Sequence, residues 1–200
     1  KKGVEGSGLF RSEFLFLDRS QAPTLEEQVA TYTAVLQAFG DRRVVVRTLD
    51  AGADKPLAFA HQDEEENPAL GQRGLRLAMN REELIETQLE ALAAAQKATG
   101  GDLWVMAPMV STVHETRWFV DKARSFGLKK VGVMIEVPAA AIRAQQIMKY
   151  ADFASMGTND LTQYVMAADR LNPELADLNS YWHGAVLDVM KAACKGAHEN

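Results

Sequence analysis

Short apolar runs alternate with segments of helical spacing along this chain. Gly8-Leu9-Phe10 leads into Phe14-Leu15-Phe16-Leu17. Pro23-Thr24 then opens a segment in which Val29, Tyr32, Thr33, Val35, Leu36 and Phe39 follow helical spacing up to Gly40. Thr24 and Glu27 stand at the spacing of a capping box, which marks the helix start. Val44-Val45-Val46 is a β-branched run of the kind buried on both faces of a sheet. The polar stretch over residues 50–74 is too long for an ordinary connection and reads as functional or disordered. Asn80-Arg81-Glu82-Glu83 predicts the cap of a helix carrying Leu84, Ile85, Leu89, Leu92 and Ala95. A strand over residues 103–107 follows, then a helix capped by Thr112-Val113-His114-Glu115 and running to about Phe126. Residues 131–135 form another strand, a helix follows Pro138, and Phe153-Ala154-Ser155-Met156 is a short strand. A final amphipathic helix covers about residues 185–197.

Strands alternating with helices at this rhythm imply a parallel sheet with right-handed crossovers. The pattern yields five strand–helix units, whereas a closed (β/α)8 barrel needs eight. An open doubly wound sheet and a barrel fragment both remain. The strand ends favour the barrel: Arg11 and Glu13, Arg47 and Asp50, Met109, Glu136, and Asn159 with Asp160 each follow a strand. In a barrel those ends converge on one mouth, whereas in an open sheet they spread along an edge. The expectation is an α/β chain of (β/α)8 TIM-barrel type, incomplete, forming one partial domain over residues 1–200.

Composition narrows the function classes. At 200 residues, 47% hydrophobic and 24% charged, the chain has an ordinary globular make-up. Its formal net charge of −5 argues against a general nucleic-acid binder. Nothing in it reads as a membrane span or a signal peptide. Cys194 is the single cysteine, which fits a reducing cytoplasm.

Arg11 and Arg47 end apolar runs, where a guanidinium is costly without an anionic partner. Its fork suits phosphate and carboxylate oxygens. Internal pairing, Arg11 with Glu13 and Arg47 with Asp50, is the competing account. Glu136 and Asp160, from neighbouring strands, suit either one Mg²⁺ or an acid/base pair. Asp160 also suits a helix N-cap before Leu161-Thr162-Gln163-Tyr164. The four histidines, His61, His114, His183 and His198, show no metal-ligand spacing and read as surface residues. Neither a G-x-x-x-x-G-K-[ST] loop nor a G-x-G-x-x-G turn is present. Cys194 reads as a partly buried structural cysteine, despite its lysine neighbours.

Several blocks carry a family resemblance. They are Gly8-Leu9-Phe10-Arg11-Ser12-Glu13-Phe14-Leu15-Phe16, Val46-Arg47-Thr48-Leu49-Asp50 and Asp54-Lys55. Glu65-Glu66-Asn67-Pro68-Ala69-Leu70-Gly71-Gln72-Arg73-Gly74-Leu75-Arg76 and Met134-Ile135-Glu136-Val137-Pro138-Ala139-Ala140 follow. The last are Gly157-Thr158-Asn159-Asp160-Leu161-Thr162-Gln163-Tyr164 and Asp169-Arg170. In these blocks, nearly end to end, the chain resembles Enzyme I of the bacterial sugar phosphotransferase system, the phosphoenolpyruvate–protein phosphotransferase family. The resemblance lies in that family's C-terminal phosphoenolpyruvate-binding barrel. Pyruvate phosphate dikinase and phosphoenolpyruvate synthase, which share a related barrel, are the alternatives. A catalytically silent binding or dimerisation fragment is a further one.

The resemblance implies a transferase of sugar transport that moves phosphate from phosphoenolpyruvate to an enzyme histidine, leaving pyruvate, and on to a histidine phosphocarrier protein. It implies that Arg11, Arg47 and Arg170 bind the substrate's phosphate and carboxylate, and that Asn159 and Asp160 contact it. Glu136 and Asp160 match the family's Mg²⁺ ligands, and Lys55 and Arg73 match charged positions near the mouth. Homodimerisation through this domain and a cytoplasmic location are implied too. By this mapping the chain holds strands two to six. The family's G-x-C-G-E strand with its acid cysteine has no counterpart, nor has the phospho-accepting histidine, so no catalytic residue is expected here and the chain alone is expected to be inactive. Two departures stand out: Gly52-Ala53-Asp54-Lys55 replaces G-G-D-K, and Gly184 stands where the family has proline.

Overall fold

A computed structural model of the chain describes residues 3–17, 19–52, 57, 59 and 65–199. Its strands are β1 (Gly6–Arg11), β2 (Arg43–Arg47), β3 (Leu103–Ala107), β4 (Val131–Ile135) and β5 (Phe153–Met156), in one sheet ordered as in the chain. Gly6 is in parallel register with Arg43, Val44 with Leu103, and Gly132 with Phe153. That order distinguishes the two architectures left open by the sequence. A doubly wound sheet reverses its strand order at a switch point, and a barrel sheet does not. The fold is therefore α/β of the TIM-barrel type, incomplete among the described residues.

Local sequence accounts for most helix ends. In α1 (Leu25–Phe39), Glu27 N–H donates to Thr24 Oγ1 at 3.3 Å and Thr24 N–H donates to the Glu27 carboxylate at 2.9 Å. The same reciprocal pair joins Thr112 and Glu115 at the start of α4 (Val113–Ser125), at 3.1 and 2.7 Å. The expected cap at Asn80 is not formed. Asn80 is the last residue of α2 (Leu75–Asn80), and its amide donates to Gln72 Oε1 at 2.8 Å. Arg81 instead separates α2 from α3 (Glu82–Thr99), because its N–H still bonds Leu77 O at 2.9 Å and carries α2 one residue further. The helix after Pro138 is two short pieces, α5 (Pro138–Ile142) and α6 (Ala144–Ile147). The last two helices are α7 (Thr158–Met166) and α8 (Gly184–His198). Among the described residues no helix is long and apolar enough to cross a membrane.

The chain divides into two compact units. The first is Lys1–Pro108 with Lys122–Val131, and the second is Met109–Asp121 with Gly132–Asn200. In the first, α1 packs on α3 through buried Tyr32, Leu36, Leu89 and Leu92. A buried polar relay runs through this apolar layer. Leu49 N–H donates to Gln88 Oε1 at 2.9 Å, and Gln88 Nε2 donates to the Tyr32 hydroxyl at 2.8 Å. The chain just after β2 is thereby tied to both helices. The two ends of the long polar stretch are also joined, Gly74 N–H donating to Ala51 O at 3.0 Å. Gly52 lies against Arg73, with no room there for a side chain.

In the second unit α8 packs along α5 and α6. The helices come so close at Gly196 that a Cβ there would meet Gln145 N at 2.8 Å. Ala193 faces this contact, and Cys194 is carried round to the exposed side, not the partly buried position expected of it. His114 and His198 are exposed and His183 half-buried, while His61 lies outside the described residues.

Two outcomes are expected. In β4, a Cβ on Gly132 would lie 2.5 Å from Phe153 O, so Gly132→Ala costs about 1–3 kcal/mol in urea unfolding. Unchanged stability would show that β4 and β5 are not this close. Burial pushes the Tyr32 phenol well above its ordinary pKa, against the lowering effect of Gln88, and the Glu13 carboxylate pushes the same way. Its contribution is intact below the unfolded value near pH 10 and is lost as pH rises towards the folded one, at about 1.4 kcal/mol per pH unit. Wild type should therefore lose more stability than Tyr32→Phe between about pH 9 and about pH 11. Parallel losses in denaturant titrations at the two pH values would contradict this.

Candidate functional site

In the first unit, β1 ends at Arg11 and a 3-10 turn over Ser12–Leu15 follows. Arg11 is exposed at the end of β1, and the turn folds Ser12 and Glu13 inwards while Phe14 is left 75% exposed. Ser12 Oγ donates to Arg47 O at 2.8 Å. Glu13 pairs with the Arg47 guanidinium, and Asp50 lies 3.2 Å from the same group. Asp50 also accepts from Arg73 Nη2 at 3.0 Å. All four side chains are buried, Arg73 to 1% exposure. Two guanidinium groups thus face two carboxylates, which is what makes the burial of any one of them tolerable.

The internal pairing read from the sequence is half present. Arg47 does pair with Asp50, but Glu13 also goes to Arg47, and Arg11 makes no ion pair among the described residues. Arg73 is enclosed and grips Asp50, so its present role is to hold the cluster together. Lys55 lies outside the described residues. One Glu13 oxygen, Oε2, is buried with no hydrogen-bond partner among the described residues.

The second unit holds the other candidates. Glu136 follows β4 and is 1% exposed, and its Oε1 accepts the Met109 N–H at 2.7 Å. Gly157 N–H bonds Ile135 O at 3.0 Å, which brings the start of α7 against Glu136. Gly157 is the N-cap of α7, so Asp160 is not a cap and falls in the first turn, buried at 5% exposure. An acid there is favoured by the helix dipole. Arg170 Nη1 donates to Asp160 Oδ2 at 3.4 Å, and Arg170 N–H donates to Gln163 Oε1 at 2.9 Å. Asn159, one residue from Asp160, is exposed. The fold therefore gathers Glu136, Asn159, Asp160 and Arg170 in one unit, with Arg11, Arg47 and Arg73 in the other.

The donor set can be tested against a metal. Both carboxylates offer hard oxygen, and no group of three or more His, Cys, Asp or Glu placed to hold an ion occurs among the described residues. A fully protein-built Zn²⁺ or Ca²⁺ cage is not what this resembles. One or two carboxylates completed by substrate oxygens and water is the Mg²⁺ habit, and Glu136 with Asp160 fits it. Sequence reading chose Met109 as a strand-end residue but not its N–H as the working group. It missed the Tyr32–Gln88 relay and the role of Gly157. Those depend on backbone position and long-range packing, which leave little mark on composition or period.

The chain matches the family model described as PEP-utilising enzyme, PEP-binding domain, over residues 1–200. It is 48% identical over 197 residues to the phosphoenolpyruvate-protein phosphotransferase of Streptomyces coelicolor, covering 98% of this chain and 35% of that protein. Its identity to the protein of the same name from Haloferax volcanii is 45% over 209 residues, covering 98% and 37%. The multiphosphoryl transfer protein of Xanthomonas campestris is 45% identical over 205 residues, covering 100% of this chain and 24% of that one. The chain spans about a third of the length of the phosphotransferases it matches. With its whole length matched by one family model and nearly half its residues shared with such proteins, the chain belongs to the PEP-utilising enzymes, in their PEP-binding domain.

Proposed function

We propose that this chain is the phosphoenolpyruvate-binding part of a transferase that moves phosphate from phosphoenolpyruvate to an enzyme histidine and on to a histidine phosphocarrier protein, serving sugar uptake in the cytoplasm. The observation that carries the reading is Arg47, a guanidinium at the end of an apolar strand, only 5% exposed and oriented by two carboxylates. A cation kept at such cost, with its fork already aimed, is suited to the oxygens of a phosphoryl group. The name phosphoenolpyruvate-protein phosphotransferase, which several relatives share and which describes phosphoryl transfer to protein, favours this reading over a dikinase or synthase.

In this reading Arg47 and the exposed Arg11 neutralise substrate charge in the first unit. Asp50, Glu13 and Arg73 keep Arg47 from collapsing onto other acceptors. Arg170 and Asn159 contact substrate in the second unit, and Asp160 orients Arg170. Glu136 and Asp160 would hold Mg²⁺, whose charge lowers the cost of gathering negative oxygens on the transferring phosphoryl. A homodimer built through this domain completes the proposal.

Calorimetry with phosphoenolpyruvate, with and without Mg²⁺, tests the reading. Binding that needs Mg²⁺, of about millimolar strength, is expected. Tight binding without the metal would withdraw Glu136 and Asp160 as its ligands.

Substitutions at Arg47 separate charge from geometry. Arg47→Lys keeps the cation but loses the fork, so it should fold and bind at least about tenfold more weakly. Arg47→Ala leaves Glu13 and Asp50 buried against fewer positive charges, which costs about 3–5 kcal/mol. Loss of function in that variant should come with a lowered melting temperature. Wild-type affinity in Arg47→Lys would remove Arg47 from the substrate.

A further inference from the structure

We propose that Met109 and Gly157 are positioning residues for Glu136, fixing its carboxylate in one orientation before a divalent cation arrives. The inference rests on the reading of Glu136 as a cation ligand and adds the device that aims it.

Met109 has φ 56°, in the left-handed region. Among the described residues only Ala167 shares this with it outside glycine. Ala167 is explained by its place, since it ends α7 and its N–H bonds Gln163 O. Left-handed residues at helix ends are common. Met109 ends no helix. What its conformation delivers is an N–H on Glu136 Oε1 at 2.7 Å. The side chain is locked as well, 1% exposed with the Tyr164 hydroxyl 3.9 Å from its sulfur. An unfavourable backbone conformation held by packing is an outlier from which function can be argued.

Gly157 acts on the other oxygen. A Cβ there would lie 2.5 Å from Glu136 Oε2 and 2.7 Å from Glu136 Cβ. The backbone at 157 cannot retreat without losing its 3.0 Å bond to Ile135 O. One carboxylate oxygen is thus fixed by a donor, and the other occupies the space a side chain would fill. Partners of this kind, which orient a ligand without touching the ion, change metal affinity by about 10–100-fold when lost.

The test uses Mn²⁺ alone as the probe, its free concentration read by electron paramagnetic resonance, beside thermal melts. Met109→Gly keeps the N–H and suits the left-handed φ, so its affinity should stay within about twofold of wild type. Met109→Val keeps the N–H but disfavours that φ, and Gly157→Ala pushes the carboxylate away; each should bind at least about tenfold more weakly. Glu136→Gln separates the two claims. If it binds Mn²⁺ like wild type, the cation reading fails and this inference goes with it. If it binds weakly while Met109→Val and Gly157→Ala bind normally, only the positioning role is overturned. Should those two variants not fold, the wild-type protein decides. The Met109 amide resonance should shift as Mg²⁺ saturates the site, and a resonance that stays still refutes the proposal.

Discussion

A guanidinium buried at the end of an apolar strand has to be compensated, and much of the first unit is arranged around that requirement. Arg47 closes β2 behind three buried valines. Glu13 reaches it from the turn after β1, and Asp50 from three residues downstream. Asp50 then needs Arg73, which the long polar stretch brings back to the end of the same strand. Removing one partner of such a pair costs far more than the pair contributes, because a bare charge remains in a low-dielectric setting. The relay from Leu49 through Gln88 to Tyr32 makes the backbone between Arg47 and Asp50 equally hard to move. Stability and ligand geometry are therefore coupled in this unit.

The second unit solves a related problem with the opposite sign. Glu136 carries its carboxyl group at the end of a wholly buried strand, and a donor to its Oε1 is a main-chain N–H. A backbone donor has no rotamer freedom to lose, so the carboxylate gains direction without a second long side chain being ordered. Asp160 differs. It draws on the first turn of α7 and on the half-buried Arg170, a group that keeps more freedom.

The legible part of the sequence was the local part. Strand positions followed from β-branched and apolar runs, and two capping boxes from residues three apart, because those signals depend on near neighbours. The Asn80 cap failed because its side chain found Gln72, and the cap reading of Asp160 failed because the backbone of Gly157 took that position. Site residue types were visible as charges at strand ends. Their pairing was not: Glu13 and Arg47 are 34 residues apart, and nothing at that separation in a single sequence says which arginine an acid will choose. The φ of Met109 was equally out of reach, since methionine carries no preference for it.

The chain-ordered sheet also has a kinetic reading. Each pairing closes a loop of its own length, and these lengths differ: Gly132 meets Phe153 across a short crossover, while Val44 meets Leu103 across α2, α3 and the polar stretch. Loop-closure entropy grows only with the logarithm of length, so the difference amounts to about 1 kcal/mol. Contacts near in sequence nevertheless form sooner. The β4–β5 pairing, beyond whose strand ends lie Glu136 and the first turn of α7 with Asp160, has the smaller closure cost. The pairing of β2 with β3 closes the longer loop, so the burial of Arg47 at the end of β2 carries the larger closure cost.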